Sequence, residues 1–98
     1  MPKGYWIAHV EVHDPETYKK YVEGATPAYK EFGAKFLVRG TPSEQMEGDA
    51  LGSRHVVIEF ETIEKARACY NSTTYQEARK HRLAASTGRL VISEGFDG

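Results

Sequence analysis

This 98-residue sequence has little cysteine, no surplus of basic charge and no long apolar run. Each absence argues against one class of protein. The single cysteine, Cys69, cannot form an internal disulfide, which is typical of a reducing compartment. Lys and Arg number 13 against 14 Asp and Glu, so no basic excess favours nucleic-acid binding. The first apolar stretch resembles neither a signal peptide nor a membrane span, because Glu11 and Asp14 interrupt it. We therefore expect a cytoplasmic protein without a nucleic-acid or membrane partner.

Repeats, low-complexity tracts and linkers are also missing from the sequence, and its length leaves room for one core. A chain of 11.0 kDa should fold to a surface of roughly 5,600 Å², about a third of its unfolded surface. Such a core is large enough to stabilise a monomer, but with little stability to spare. We expect a single domain over residues 1–98 that would gain stability from a partner covering more apolar surface.

Turn and capping residues divide the sequence into two β-α-β units. Asp14 and Pro15 are typical of a helix start and Gly33 of a helix end, while Pro27 predicts a kink or break near residues 24–26. Thr62 and Ser72 can cap two further helices. The pattern predicts strands over 5–12, 34–39, 54–61 and 89–94, and helices over 15–32, 63–70 and 73–85. Residues 40–53 form a long connection, in which residues 45–47 could extend a hairpin.

The order of these elements, β-α-β-β-α-β, is the split β-α-β arrangement of an α+β protein. Right-handed crossovers place the first and third strands at the centre of a four-stranded antiparallel sheet, with the helices on one face. An apolar set of strand residues suits that face and predicts an ordinary core. It consists of Trp6, Ala8, Val10, Val12, Phe36, Val38, Val56, Ile58, Phe60, Leu90 and Ile92.

The opposite face of the sheet mixes apolar and polar side chains, whereas a face in contact with water should be mostly polar. Its apolar members are Tyr5, Ile7, Leu37, Val57 and Val91, and its polar members are His9, Glu11, Lys35, Arg39, His55, Glu59 and Ser93. An exposed apolar patch of this kind is uncommon in a monomer, and burying each large side chain is worth about 1.5–3 kcal/mol. We therefore expect a homodimer in which two copies pack these faces together.

Seven segments spread over nearly the whole chain carry a family resemblance. They are GYWI at 4–7, VHDPETY at 12–18, FLVRG at 36–40, EGD at 47–49, VVIEF at 56–60, YNSTTYQ at 70–76 and RLVISEG at 89–95. With these segments the chain resembles the domain of unknown function 1330 family, within the dimeric α/β-barrel superfamily. The resemblance implies a ferredoxin-like protomer and a dimer whose sheets meet face to face. It implies no reaction, because that superfamily includes cofactor-free monooxygenases, haem-degrading enzymes, muconolactone isomerases and stress-response proteins.

The polar residues on the face opposite the helices are the candidate ligand-binding residues. They are His9, Glu11, Arg39, His55 and Glu59. In one interpretation, Arg39 holds an anionic group of a small molecule and His9 or Glu59 moves a proton. In the other, these residues are ion pairs that line a dimer interface. If Arg39 lies opposite His55, then Lys35 falls opposite Glu59 and pairs with it.

The other reactive side chains give little indication of a metal or catalytic site. We expect neither a metal nor a cofactor. On a strand, His9 and His13 would lie about 13 Å apart, too far to share a metal ion. Cys69 is expected to be a buried, inert thiol. Surface positions are expected for His81 and for the three arginines Arg79, Arg82 and Arg89, which serve solubility and ion pairing.

Tyr18, Tyr21 and Tyr29 follow the helical spacing of a core stripe, although a small aromatic ligand between this helix and the sheet would use the same residues. We therefore expect a homodimer that binds a small organic molecule beside the sheet and could act as a cofactor-independent enzyme. The alternative is a structural or stress-associated dimer without catalytic activity. No catalytic motif decides between the two.

Overall fold

The computed structural model describes residues 2–50 and 52–96. In chain order these residues form β1 (Gly4–Val12), α1 (Pro15–Glu31), β2 (Lys35–Arg39), β3 (Arg54–Phe60), α2 (Ile63–Asn71), α3 (Thr73–Ala85) and β4 (Ser86–Glu94). The strands form one antiparallel sheet in the order β2-β3-β1-β4, and the helices pack on one face of it. The predicted α+β topology, with β1 and β3 central, is confirmed.

The three helices begin at the predicted capping residues. Side-chain oxygens of Asp14, Thr62 and Ser72 each accept a hydrogen bond of 3.2 Å from a backbone N–H three residues further on. Gly33 ends α1 with a φ of +70°, a left-handed conformation that glycine adopts without a steric penalty.

The predicted break in α1 is wrong, because the helix continues through residues 24–26 and includes Pro27. A proline inside a helix costs about 3 kcal/mol, since it removes one backbone hydrogen bond. In α1 the buried side chains Ala25, Ala28 and Tyr29 lie on both sides of Pro27, whose own ring is exposed. Continuous packing of this face against the sheet and α3 outweighs the local cost.

The start of β4 and the conformation of residues 45–47 also differ from the predictions. β4 begins at Ser86 instead of residue 89, and its first residues pair with Val12 and Glu11 of β1. The Ala85 carbonyl accepts hydrogen bonds from the backbone N–H groups of His13 and Asp14, so α3 leads into β4 without a loop. Residues 45–47, by contrast, form no strand and are exposed.

A β-bulge in β2 determines which face of the sheet Arg39 occupies. The cross-strand pairs are Lys35–Glu59, Phe36–Ile58, Val38–Val57 and Arg39–Val56. Leu37 is therefore an extra residue that breaks the alternation of side chains along β2. Because directly paired residues share a face of the sheet, Arg39 lies on the helix side and Val38 lies on the opposite side. The sequence-based positions of these two residues were wrong, since regular alternation assumes that no residue is inserted.

The core is centred on Trp6, whose side chain is only 1% exposed. Its indole Nε1–H donates a hydrogen bond of 2.9 Å to the Ala66 carbonyl of α2. The ring packs edge-on against Tyr29 of α1 and Tyr75 of α3, with centroid distances of 5.9 and 4.9 Å. One side chain of β1 thus holds all three helices against the sheet. In the described ranges, no helix has the length and apolar character needed to cross a membrane.

Cys69 lies at 0% exposure on α2, with its Sγ atom 3.8 Å from the Ala28 carbonyl oxygen. Burial, with a smaller contribution from the charge of Glu31, raises the pKa of this thiol to about 12. The reactive species of a cysteine is its thiolate, so a raised pKa makes the side chain inert. The predicted burial of Cys69 is confirmed.

We predict that Cys69 in the folded protein does not react with a disulfide-exchange reagent at pH 8, where about one thiol in ten thousand is ionised. The absorbance of the released thiol chromophore measures the reaction, and the same protein in denaturing guanidinium chloride is the control. Rapid reaction of the native protein would contradict the buried position.

Candidate functional site

A small cavity lies between the sheet and the helices α1 and α3, with a volume of about 30 Å³. All four strands and both helices contribute to its wall. The lining residues are Trp6, Ala8, Val10, Tyr18, Tyr21, Val22, Tyr29, Phe36, Arg39, Arg54, Val56, Ile58, Arg82 and Leu90. This wall is mostly apolar and aromatic, with a few polar groups among the apolar ones, which is the usual composition of a small-molecule site.

Tyrosine hydroxyl groups form a buried chain of hydrogen bonds beside the cavity. The Tyr21 hydroxyl lies 3.0 Å from the Tyr29 hydroxyl and 3.0 Å from that of Tyr75. Burial raises the pKa of all three phenols, with further increases from the neighbouring tyrosines. The three groups are therefore neutral at physiological pH and act as hydrogen-bonding groups rather than as bases.

Arg82 of α3 extends into this cluster and is only 7% exposed. Its guanidinium carbon lies 5.8 Å from the centre of the Tyr21 ring, and its buried Nε has no hydrogen-bond partner. Burial opposes the charge of Arg82, but interactions with Tyr75 and Tyr21 raise its pKa on balance. Among the described residues, no carboxylate oxygen lies within 4.0 Å of this side chain. Arg82 is thus a buried cation without a counterion.

Two more arginines line the cavity nearer to solvent. The Arg39 guanidinium stacks on the Phe36 ring at 3.9 Å from its centre, and Arg39 as a whole is exposed. Arg54 lies 5.6 Å from the centre of the Tyr18 ring, and its guanidinium passes so close to Gly40 that a Cβ there would collide with it. Both arginines join the cavity to the surface and form its mouth.

The lining contains no Asp, Glu or His within the described part of the chain. Its charged groups are cations, and the buried phenols of Tyr21 and Tyr29 stay protonated because their pKa values are raised. Such a site can bind and orient an electron-rich group, but it offers no side chain that would take a proton from a ligand at neutral pH. The arrangement therefore favours binding and charge stabilisation over acid–base chemistry.

Four of the five sequence-predicted site residues lie away from this cavity. His9 and His55 face each other across β1 and β3, with their Nδ1 atoms 2.9 Å apart. Glu59 accepts a hydrogen bond of 3.2 Å from the Tyr5 hydroxyl. Glu11 accepts one of 3.2 Å from the Ser53 hydroxyl, at the edge of an open surface groove.

Arg39 is the one predicted site residue that lines the cavity, and the bulge separates it from the other four. The register that would place Arg39 opposite His55, which the sequence left open, is not the one formed, because Arg39 lies opposite Val56. Lys35 does lie opposite Glu59, but the described residues show no ion pair between them. These residues therefore form two separate polar groups, one on each face of the sheet.

Arg82 lines the cavity although we expected it at the surface, so that prediction was wrong. The sequence did contain a signal, because Tyr75, Ala78, Arg82 and Ala85 follow helical spacing and are all buried on one side of α3. We predicted a surface position for Arg82 from its charge, although its position on the apolar side of α3 indicates burial. The described residues contain no cluster of three or more His, Cys, Asp or Glu that could hold a metal ion.

Comparison with solved structures finds this fold in several proteins of low sequence identity. A protein of unknown function from Rhodopseudomonas palustris matches with a TM-score of 0.80 at 18% identity, covering 99% of this chain and 85% of that one. SnoaB, a cofactor-independent oxygenase from Streptomyces nogalater, matches with a TM-score of 0.65 at 10% identity, covering 100% and 97%. A dimeric protein of unknown function with a ferredoxin-like fold from Bacteroides fragilis matches at 0.59 and 10%, covering 94% and 95%. These likenesses show that the fold is ferredoxin-like.

A search of curated proteins finds no match. The family model described as "Domain of unknown function (DUF1330)" matches residues 3–96, which include both the cavity and the opposite face of the sheet. The chain therefore belongs to the DUF1330 family, as the segments along its sequence implied.

Proposed function

We propose that the protein binds a small organic molecule in the cavity between the sheet and the helices α1 and α3. The observation that carries this proposal is the buried Arg82 guanidinium, which lines the cavity without a counterion. Burying a charge without a counterion costs several kcal/mol. A bound ligand would give this cation the partner that the described residues do not supply.

The cavity must open to admit such a ligand. Its volume of about 30 Å³ suits one or two water molecules, whereas roughly 150 Å³ is needed to hold benzene. Arg39 is the side chain best placed to move, because it is exposed and stacks on Phe36 at the mouth. An exposed contact between a cation and an aromatic ring is worth only about 0.5–1 kcal/mol. Ligand binding can readily offset that loss.

A cofactor-independent enzyme is the catalytic form of this proposal. The shared fold with SnoaB favours it, although fold alone does not transfer a reaction. Because the cavity lining has no side chain that can act as a general base, such an enzyme would act on a ligand that loses its proton to water and is held as an anion by the arginines. Binding is the part of the proposal that the geometry supports best.

We also propose that a second copy of the chain covers the opposite face of the sheet. Leu37 and Val91 on this face are 49% and 55% exposed. The molecule measures 37 × 35 × 17 Å, so it is a flat slab with helices on one side only. It exposes 6369 Å², compared with roughly 5,600 Å² expected for a monomer of this mass. The dimeric relative from Bacteroides fragilis has the same fold.

The polar residues of this face suit an interface between copies. His9 pairs with His55, and Glu59 pairs with Tyr5, so these groups already have partners before a second sheet covers them. Buried polar groups are tolerated when their hydrogen bonds are made. A dimer without catalytic activity, the alternative function, would need only this face and not the cavity.

We predict that filling the cavity weakens ligand binding. Val10 and Val12 point to the same face of β1, but only Val10 lines the cavity. The substitution Val10→Ile adds a methyl group inside it, and Val12→Ile is the matched control. A ligand at one hundred times its Kd should stabilise the wild type by about 2.7 kcal/mol, which raises the melting temperature by several degrees.

A thermal-shift screen of neutral and anionic aromatic compounds, followed by amide chemical shifts in NMR, measures this effect. The stabilisation should fall several-fold in Val10→Ile and stay unchanged in Val12→Ile. If no compound stabilises the wild type, or if both variants respond alike, binding in this cavity is refuted.

We predict that charge on the exposed sheet face breaks the dimer. Val91 on β4 and Leu83 on α3 are 55% and 54% exposed, so Leu83→Lys is a matched control for Val91→Lys. A lysine buried between two sheets must lose its hydration, which costs more than the roughly 1.5–3 kcal/mol gained by burying an apolar side chain. Sedimentation velocity should show a monomer for Val91→Lys and a dimer for Leu83→Lys.

A wild-type protein that sediments as a monomer at high micromolar concentration would exclude this interface. A dimer that Leu83→Lys disrupts and Val91→Lys leaves intact would place the interface on the helical side instead.

A further inference from the structure

We infer that the ligand of this cavity is an anion whose charged oxygen is attached to a planar apolar body: an aromatic carboxylate, a phenolate or an enolate. This inference rests on the proposed function and names its ligand class. It comes from three properties of the lining, namely its supply of donors, its charge and the shape of its walls.

The hydroxyl groups beside the cavity supply at least one donor that they do not use among themselves. Tyr21, Tyr29 and Tyr75 have three hydroxyl hydrogens, and the chain of two hydrogen bonds between them uses two. The third hydrogen has no acceptor among the described residues. Arg82 adds further donors, since its Nε has no partner and a guanidinium accepts no hydrogen bonds. The polar groups in and beside the cavity thus have spare donors.

The lining also carries an excess of positive charge, which favours an anionic ligand as the spare donors do. Arg39, Arg54 and Arg82 all line the cavity, whereas its wall contains no acidic residue in the described ranges. Each cation disfavours the others in a space of low dielectric constant. An anion that enters relieves this repulsion and makes charge-assisted hydrogen bonds, which are about twice as strong as neutral ones. A neutral ligand gains neither effect.

The rest of the wall favours a flat apolar body. Tyr18, Tyr29 and Phe36 present aromatic rings, and Val10 and Leu90 present aliphatic groups. The rings of Tyr29 and Phe36 pack edge-on against each other, with centroids 5.1 Å apart and an interplanar angle of 89°, so they form one continuous aromatic wall. Planar conjugated anions suit both the aromatic wall and the donors, because their charge lies on oxygens at one edge of an apolar ring.

Three probes of similar size test this inference on the full chain. Benzoate carries a carboxylate, benzamide is its neutral counterpart, and 4-nitrophenol reports its own ionisation by visible absorbance. We expect benzoate to bind about tenfold or more tightly than benzamide, since each tenfold corresponds to one additional charge-assisted contact. We expect the pKa of bound 4-nitrophenol to fall by about one unit if the site accepts phenolates. A preference confined to one of these two probes identifies which oxyanion the site takes.

A pair of arginine variants tests whether the preference for anionic probes arises in this cavity. Arg82 and Arg79 lie one turn apart on α3, each 5.8 Å from the centre of a tyrosine ring, and each has a buried Nε without a partner. Only Arg82 lines the cavity. The substitution Arg82→Met keeps a long side chain and removes the buried charge, so it should lower the preference for the anion several-fold, while Arg39 and Arg54 still line the cavity. The control Arg79→Met should retain it.

The outcomes separate this inference from the proposed function. If benzamide binds as tightly as benzoate and 4-nitrophenol shows no shift, the cavity is a neutral site and the inference is wrong, while the proposed function stands. If none of the three probes binds, both fail. If Arg82→Met leaves the preference for the anion unchanged while remaining folded by circular dichroism, Arg82 does not hold the anion and the inference is wrong. Should Arg82→Met not fold, Tyr21→Phe removes the central hydroxyl and should lower the preference by several-fold.

Discussion

The distance between the sheet and the helices is held by Trp6, and the cavity depends on that distance. The indole donates to the backbone of α2 at Ala66, while its ring packs against Tyr29 of α1 and Tyr75 of α3. Because one rigid side chain of the central strand touches all three helices, the helices cannot move towards the sheet independently. The Tyr21 hydroxyl then joins Tyr29 to Tyr75, so the phenols beside the cavity are fixed relative to β1.

Most of the fold could be predicted from the sequence because local signals agreed with one another. The capping residues Asp14, Thr62 and Ser72 gave the helix starts, and strand alternation gave the apolar face that the helices cover. The aromatic stripe of α1 was recognised as core with a second use in ligand binding. The continuity of α1 at Pro27 was missed because the sequence shows the proline but not the tertiary packing of the helix. That packing stabilises the helix by more than the proline costs.

The candidate site could be predicted only in part. The sequence FLVRG contains no residue that indicates a bulge. The face of the sheet that Arg39 occupies can therefore be determined only from the pairing of β2 with β3. Arg82 was missed for a different reason: its charge suggested the surface, whereas its helical spacing with Tyr75 and Ala78 placed it inside. Charged residues are almost never fully buried unless they are paired, and Arg82 is an exception to that general rule. The expected cytoplasmic location and the lack of a nucleic-acid partner stay predictions.

The extra residue Leu37 has a consequence for how this family can be compared and how it can change. A single insertion or deletion in β2 exchanges the inward and outward side chains of every position between it and the strand end. Evolution can therefore transfer an arginine from the ligand cavity to the outer face, or back, without substituting a single amino acid. In relatives, residues beyond this point should accordingly be aligned by their partners on β3, since equal numbering along β2 does not ensure that two side chains enter the same compartment.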